Sequence, residues 1–135
     1  MKLGLEGKSI MVAAASRGLG NGIARAVAGD GARVSIAAPT EPKVHEAAAA
    51  LREETGAEVI SSPFDARDPE SIQAWRDRTV EAFGTVDGLV VNAGGPPPGQ
   101  FDDFDDDDWQ AAFELTLMSS VRMIRAVLPA MRAQG

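Results

Sequence analysis

Four times in succession a short apolar run gives way to a glycine- or proline-marked turn and then to a stretch of helical periodicity. Ser9 to Ala15 is the first run; Arg17-Gly18-Leu19-Gly20 turns it, and Ile23, Ala24, Val27 and Ala28 recur at helical spacing until Gly29, Asp30 and Gly31 stop the helix. Arg33 to Ala37 is the next strand, Pro39 marks its exit, and Glu41 to Thr55 forms a second helix ended by Gly56. Glu58 to Ser61 predicts a third strand, Pro69 opens a third helix that Gly84 closes, and Gly88 to Asn92 predicts a fourth strand. Strands alternating with helices of this length require parallel pairing through crossovers, so the expected class is α/β: a doubly wound parallel sheet covered on both faces.

The remaining segment, Gly94-Gly95-Pro96-Pro97-Pro98-Gly99, is a loop, because neither a helix nor a central strand tolerates that composition. A last helix is expected from roughly Asp106 to Arg132. Phe113, Leu117, Val121, Ile124 and Leu128 form one apolar stripe along it, with Leu115, Met118 and Met123 largely outside that stripe. One side of this helix is therefore expected on the sheet and the other against a second subunit or a further part of the fold.

At 135 residues the chain has room for one domain, residues 1–135. The net charge of −7 is local: Asp102 to Asp108 holds six Asp, leaving −1 for everything else. An acidic surface is the wrong sign for nucleic acid or anionic membrane, and no segment has the apolar length to span a bilayer. The absence of cysteine excludes disulfides and thiolate chemistry, and with one histidine no paired-imidazole metal site is available. No metal ligand set is expected, His45 reads as a surface side chain, and the location is read as cytoplasmic. The Asp run lacks the glycine and terminal glutamate of a calcium loop and reads as a solvated acidic cap. Trp75, Trp109 and Thr116 read as packing residues.

Gly18-Leu19-Gly20 sits between strand and helix, where backbone N–H groups and the helix dipole favour an anion and an absent Cβ lets it approach. The dinucleotide fingerprint G-x-G-x-x-G is not met, since its third glycine would fall on Ile23, and a plain tight turn is the alternative reading. Asp65 could likewise be a turn or capping acid ahead of Pro69.

Taken together, Ala14-Ala15-Ser16-Arg17-Gly18-Leu19-Gly20, Phe64-Asp65-Ala66-Arg67-Asp68 and Val90-Val91-Asn92-Ala93-Gly94 resemble the N-terminal half of a short-chain dehydrogenase/reductase. The family carries T-G-x-x-x-G-x-G after its first strand, an Asp after the third and N-A-G at the end of the fourth. The group of 3-oxoacyl-carrier-protein reductases is the nearest in character. The resemblance implies a Rossmann fold cut off after the fourth strand and the following helix. It implies a cofactor site of Ser16, Arg17, Gly18, Leu19, Gly20, Asp65, Ala66, Asn92, Ala93 and Gly94, with Gly18 and Gly20 against the pyrophosphate, Asp65 and the Ala66 backbone on the adenine, and Asn92, Ala93 and Gly94 lining the ribose and nicotinamide side and stabilising the central strands.

NAD-binding members hold the ribose hydroxyls with an acid about 20 residues beyond the glycines, where this chain has Ala38. Arg17 resembles the basic residue that NADP-preferring members set beside the 2′-phosphate, so NADP(H) is favoured over NAD(H), although Pro39 stands where many of them have a second Arg. Ala13 and Ala14 replace the Thr-Gly of the first motif, a change expected to be free of strain, and Thr116 replaces an Asn. Members are about twice this length, and their second half supplies a catalytic Ser and a Tyr-x-x-x-Lys pair. With no tyrosine anywhere, this chain has no catalytic residue to nominate. The expected function is the NADP(H)-binding portion of a carbonyl/alcohol oxidoreductase, without turnover by itself. The alternative is a non-catalytic nucleotide-binding or assembly module acting through its last helix, and a homo-oligomer through that helix is expected.

Overall fold

The computed structural model describes residues 2–135. Strands β1 (Ser9–Ala13), β2 (Arg33–Ala38), β3 (Val59–Pro63) and β4 (Gly88–Val90) form one parallel sheet in the order β3-β2-β1-β4. Helices α1 (Gly18–Gly29), α2 (Glu41–Thr55) and α3 (Pro69–Phe83) connect them, and α4 (Asp106–Phe113) runs through a wide π turn (Glu114–Met118) into α5 (Ser119–Gln134). The doubly wound sheet is thus as expected, and the bounds of α2 and α3 coincide with those read from the sequence. The strands differ at their ends: β1 and β4 stop two residues sooner than expected, and β3 runs two residues further, to Pro63.

Side-chain alternation along β1 shows why both faces must be covered. Ile10 and Val12 pack with Ala24 and Val27 of α1 and Val44 and Leu51 of α2, whereas Met11 and Ala13 pack with Trp75 of α3 and Met123 and Val127 of α5. Because α1 and α2 lie on one face and α3 and α5 on the other, the winding reverses between β1 and β4. In open α/β sheets ligands bind at such a reversal, outside the carboxyl ends of the strands.

One buried polar chain pins α3 to β2. Trp75 Nε1–H donates to Ser35 Oγ at 2.9 Å, and Ser35 and Thr79 hydroxyls meet at 2.7 Å. Thr79 donates to the Trp75 carbonyl at 2.9 Å, so Ser35 must donate to Thr79; every group then has a partner.

The acidic segment does what a carboxylate-rich helix start can do. Asp105 accepts from the Asp108 N–H and Asp108 accepts from the Asp105 N–H, each at 3.0 Å, while Asp103 and Gln100 close a similar box one turn earlier. Trp109 departs from the packing role expected of it: it is 54% exposed and touches Phe101 at the surface, whereas Trp75 is fully buried. Thr116 also departs, being exposed with its hydroxyl bonded back to the Ala112 carbonyl at 2.7 Å.

Candidate functional site

At the end of β1 the backbone takes its most demanding step. Ala14 has φ +50°, the left-handed region, and it is the one non-glycine residue there among the described residues. The expectation that alanine replaces the family's glycine without strain is therefore corrected; the Cβ pays roughly 1–2 kcal/mol for the conformation. That step ends β1 and aims the Ala14 carbonyl at α1, where a Cβ on Gly20 would collide with it and stand 3.0 Å from the Ala15 Cα. Gly20 is accordingly a close-packing glycine, buried at the strand–helix crossing.

Gly18 is of another kind. It has φ +60°, is exposed, and has nothing within 4 Å of where a Cβ would lie. Arg17, extended at the N-cap, puts no side-chain hydrogen bond on the first turn of α1, and no acid stands in that turn. The leading N–H groups of α1 and the positive end of its dipole are therefore not met by any side chain of the first turn. Ser16 is half-buried in this turn, Arg17 and Leu19 are exposed, and Asn21 Nδ2 braces the loop through the Ala15 carbonyl at 3.1 Å.

Beside the turn opens a cleft of about 620 Å³ across the carboxyl ends of all four strands, walled by Ala14, Pro39, Pro63, Asp65, Ala93 and Gly94 among others. Asp65, Ala66, Ala93 and Gly94 of the expected site meet in this wall. Ser16, Arg17, Gly18, Leu19, Gly20 and Asn92 do not wall it. Asn92 ties the end of β4 to that of β1, the strand-stabilising role expected of it, with its amide 3.3 Å from the Ala13 carbonyl and 3.4 Å from that of Ala14. Ala38, where an acid would sit in NAD-binding members, is buried, and Pro39 takes the exposed place at the cleft wall. Pro39, Phe64, Ser71 and Leu115 were not foreseen as lining residues; Leu115 enters because the π turn rotates it toward the strand ends.

Asp65 is both a turn residue and a cleft residue. Its Oδ1 accepts from the Arg67 N–H at 2.9 Å and from Arg67 Nε at 3.1 Å, and its Oδ2 accepts from Nη2 at 3.1 Å. The Arg67 guanidinium and then its N–H hold the Asp65 carboxyl below the usual carboxylate range. Capping of α3 falls to Asp68, whose side chain accepts from the Glu70 N–H at 3.0 Å. A second, more apolar cavity of about 300 Å³ lies between the Pro96–Pro97 loop and α4, with Arg67 and Leu115 on the partition between the two.

A glycine turn at an open helix start, an acid after β3 and Asn-Ala-Gly after β4 thus converge on one sheet edge, and the family description "short chain dehydrogenase" matches this chain over residues 8–135. The chain belongs to the short-chain dehydrogenase family. It is 34% identical to the 3-oxoacyl-[acyl-carrier-protein] reductase FabG of Escherichia coli, over 96% of this chain and 51% of that protein. L-Sorbose reductase from Gluconobacter frateurii, solved with NADPH and L-sorbose, superposes with a TM-score of 0.93 at 35% identity, covering 100% of this chain and 51% of its own. A short-chain dehydrogenase/reductase from Burkholderia phymatum, solved with NAD, superposes at 0.90 with 30% identity, covering 96% of this chain and 46% of its own. The chain therefore spans about half the length of the short-chain dehydrogenases it matches.

Among the described residues no three potential ligand side chains gather as a metal site, and no helix is long and apolar enough to cross a membrane. His45 is exposed, with Ser61 Oγ at 2.7 Å and Glu41 at 3.4 Å.

Proposed function

We propose that residues 1–135 form a dinucleotide-binding unit, the NADP(H)-binding half of a short-chain dehydrogenase. The observation that carries this is the uncapped start of α1 at Gly18, open to solvent and adjoining a cleft at the winding reversal. The residues fit the group. Gly18 and the first N–H groups of α1 would hold the pyrophosphate, with Ser16, Leu19 and Gly20 shaping the turn. Asp65 and Ala66 would take the adenine, and Ala93 and Gly94, set in place by Asn92, would take the ribose and nicotinamide side.

When bound, such a cofactor supplies hydride transfer between a carbonyl and an alcohol. What these residues contribute is binding and orientation, because a chain without tyrosine has no phenol to protonate a developing alkoxide. Relatives occur with NADPH and with NAD. The preference for NADP(H) rests on exposed Arg17 and on the absence of a carboxylate at Ala38 and Pro39. A cytoplasmic location goes with this reading.

A second reading, homo-oligomeric assembly through the last helix, is favoured by one observation. Phe113, Leu117 and Ile124 share an exposed side with Trp109, while Met123 and Val127 are buried against the sheet. Titration with NADPH followed by nicotinamide fluorescence tests the first reading, with saturation in the unmodified chain and its loss in Gly18→Asp expected. Failure to saturate in the unmodified chain rejects it. Sedimentation of the chain with and without Leu117→Asp tests the second, which a monomer in both rejects.

A further inference from the structure

The carboxylate–guanidinium pair in the cleft wall has a feature that adenine recognition alone does not require. Both lone pairs of Asp65 Oδ1 are taken, by the Arg67 N–H at 2.9 Å and by Nε at 3.1 Å. Oδ2 takes one bond from Nη2 at 3.1 Å and retains one lone pair. The carboxylate is therefore fixed in plane and orientation, with a single acceptor site to offer. Its neighbour is held from behind as well: the Arg67 carbonyl accepts from Arg122 Nη1 at 3.3 Å, and Arg122 is itself paired with Glu114 in the π turn at 2.6 Å. A line of polar contacts thus runs from the last helix to the cleft.

Resting on the nucleotide-binding reading above, we infer that Arg67 is a positioning residue for base selection: by clamping Asp65 it makes the cleft accept a base with an exocyclic amine and reject one with a carbonyl at that place. The physical reason is the direction of donation. An ionised, clamped carboxylate can only accept, so an amine bonds to it and a carbonyl meets its lone pair. A carboxylate freed from Arg67 can rotate and turn its lone pairs away from the base, which relieves the repulsion that a carbonyl meets there. Arg67, with Nε and Nη2 turned to Asp65, also lies on the partition between the cleft and the apolar cavity under α4.

The test compares NADPH with its reduced hypoxanthine analogue, in which a carbonyl replaces the adenine amine, by fluorescence titration of the 135-residue chain. The unmodified chain is expected to bind the analogue about tenfold more weakly or worse. In Arg67→Ala this ratio should fall at least about threefold with the melting temperature unchanged, since Arg67 is exposed. Arg67→Lys, which restores charge without the two-point clamp, should lie between them. Asp65→Asn should lose the discrimination too, and adding Arg67→Ala to it should change the ratio no further. An unmodified chain that binds both nucleotides equally, or an Arg67→Ala chain that keeps the full ratio, overturns the inference and leaves the binding reading standing. Binding of neither nucleotide by the unmodified chain overturns both.

Discussion

The start of α1 and the start of α4 are the same physical object treated in opposite ways. Each is a helix N-terminus with unsatisfied N–H groups and a partial positive charge. At α4 the chain supplies its own anions: Asp105 and Asp108 close a reciprocal box, with Asp106 and Asp107 beside them in the first turn. At α1 there is no acid in the first turn and no side-chain cap, and glycine at φ +60° keeps the approach clear. A helix start that caps itself has no N–H group to offer a ligand, whereas one left bare and propped open does. The comparison also separates two uses of carboxylates: the Asp run at the start of α4 serves local capping, while the single Asp65 faces a cleft.

Four substitutions would break or sharpen this contrast. Converting the bare start to a self-capped one, Gly18→Asp, is expected to weaken NADPH binding by about 100-fold or more, because a fixed carboxylate would occupy the anion's place; titration measures it. Gly20→Ala attacks the support of that start without touching its charge. It is expected to cost about 2–3 kcal/mol by thermal or denaturant unfolding, since the added Cβ meets the backbone of Ala14 and Ala15. Asp105→Ala unmakes the box at α4 and should cost about 1 kcal/mol with nucleotide affinity unchanged, which is the result that most directly distinguishes the two helix starts. Ala14→Gly should raise stability by about 0.5 kcal/mol, the relief of left-handed strain exceeding the added freedom of the unfolded chain.

Much of this contrast was legible in the sequence. The alternation of periods placed β1 to β4 and the bounds of α2 and α3, because Pro and Gly punctuate those elements and act locally. The turn at Gly18 and the acid at Asp65 were legible for the same reason. What escaped were features that depend on distant backbone. Nothing local distinguishes Gly18, which is open, from Gly20, which is jammed against Ala14; only the crossing of α1 over the strand end does. The strain at Ala14 had one signal, the glycine its relatives carry there, but propensity gives alanine no such cost. Leu115 and Arg67 reach the site through a π turn and a loop, whose geometry no periodicity encodes. Trp109 was misplaced because an aromatic at helical spacing usually packs, and here the helix shows that side to solvent.

That π turn has a bearing on how the last helix keeps time. One residue advances an α-helix by about 100°, and a π turn holds one residue more than an α turn, so it acts as a phase shift in the helical wheel. Upstream of it Phe113 faces outward; downstream, Met123 and Val127 face the sheet. Five residues of π winding sweep about the angle that four sweep in an α-helix, so excising a single residue between Glu114 and Met118 would restore regular winding and leave Met123 and Val127 beneath β1, whereas forcing all five into α winding would swing Ser119–Gln134 by about 100° and unseat both at once. The five residues serve less as a segment of helix than as the gear tooth that meshes its two halves.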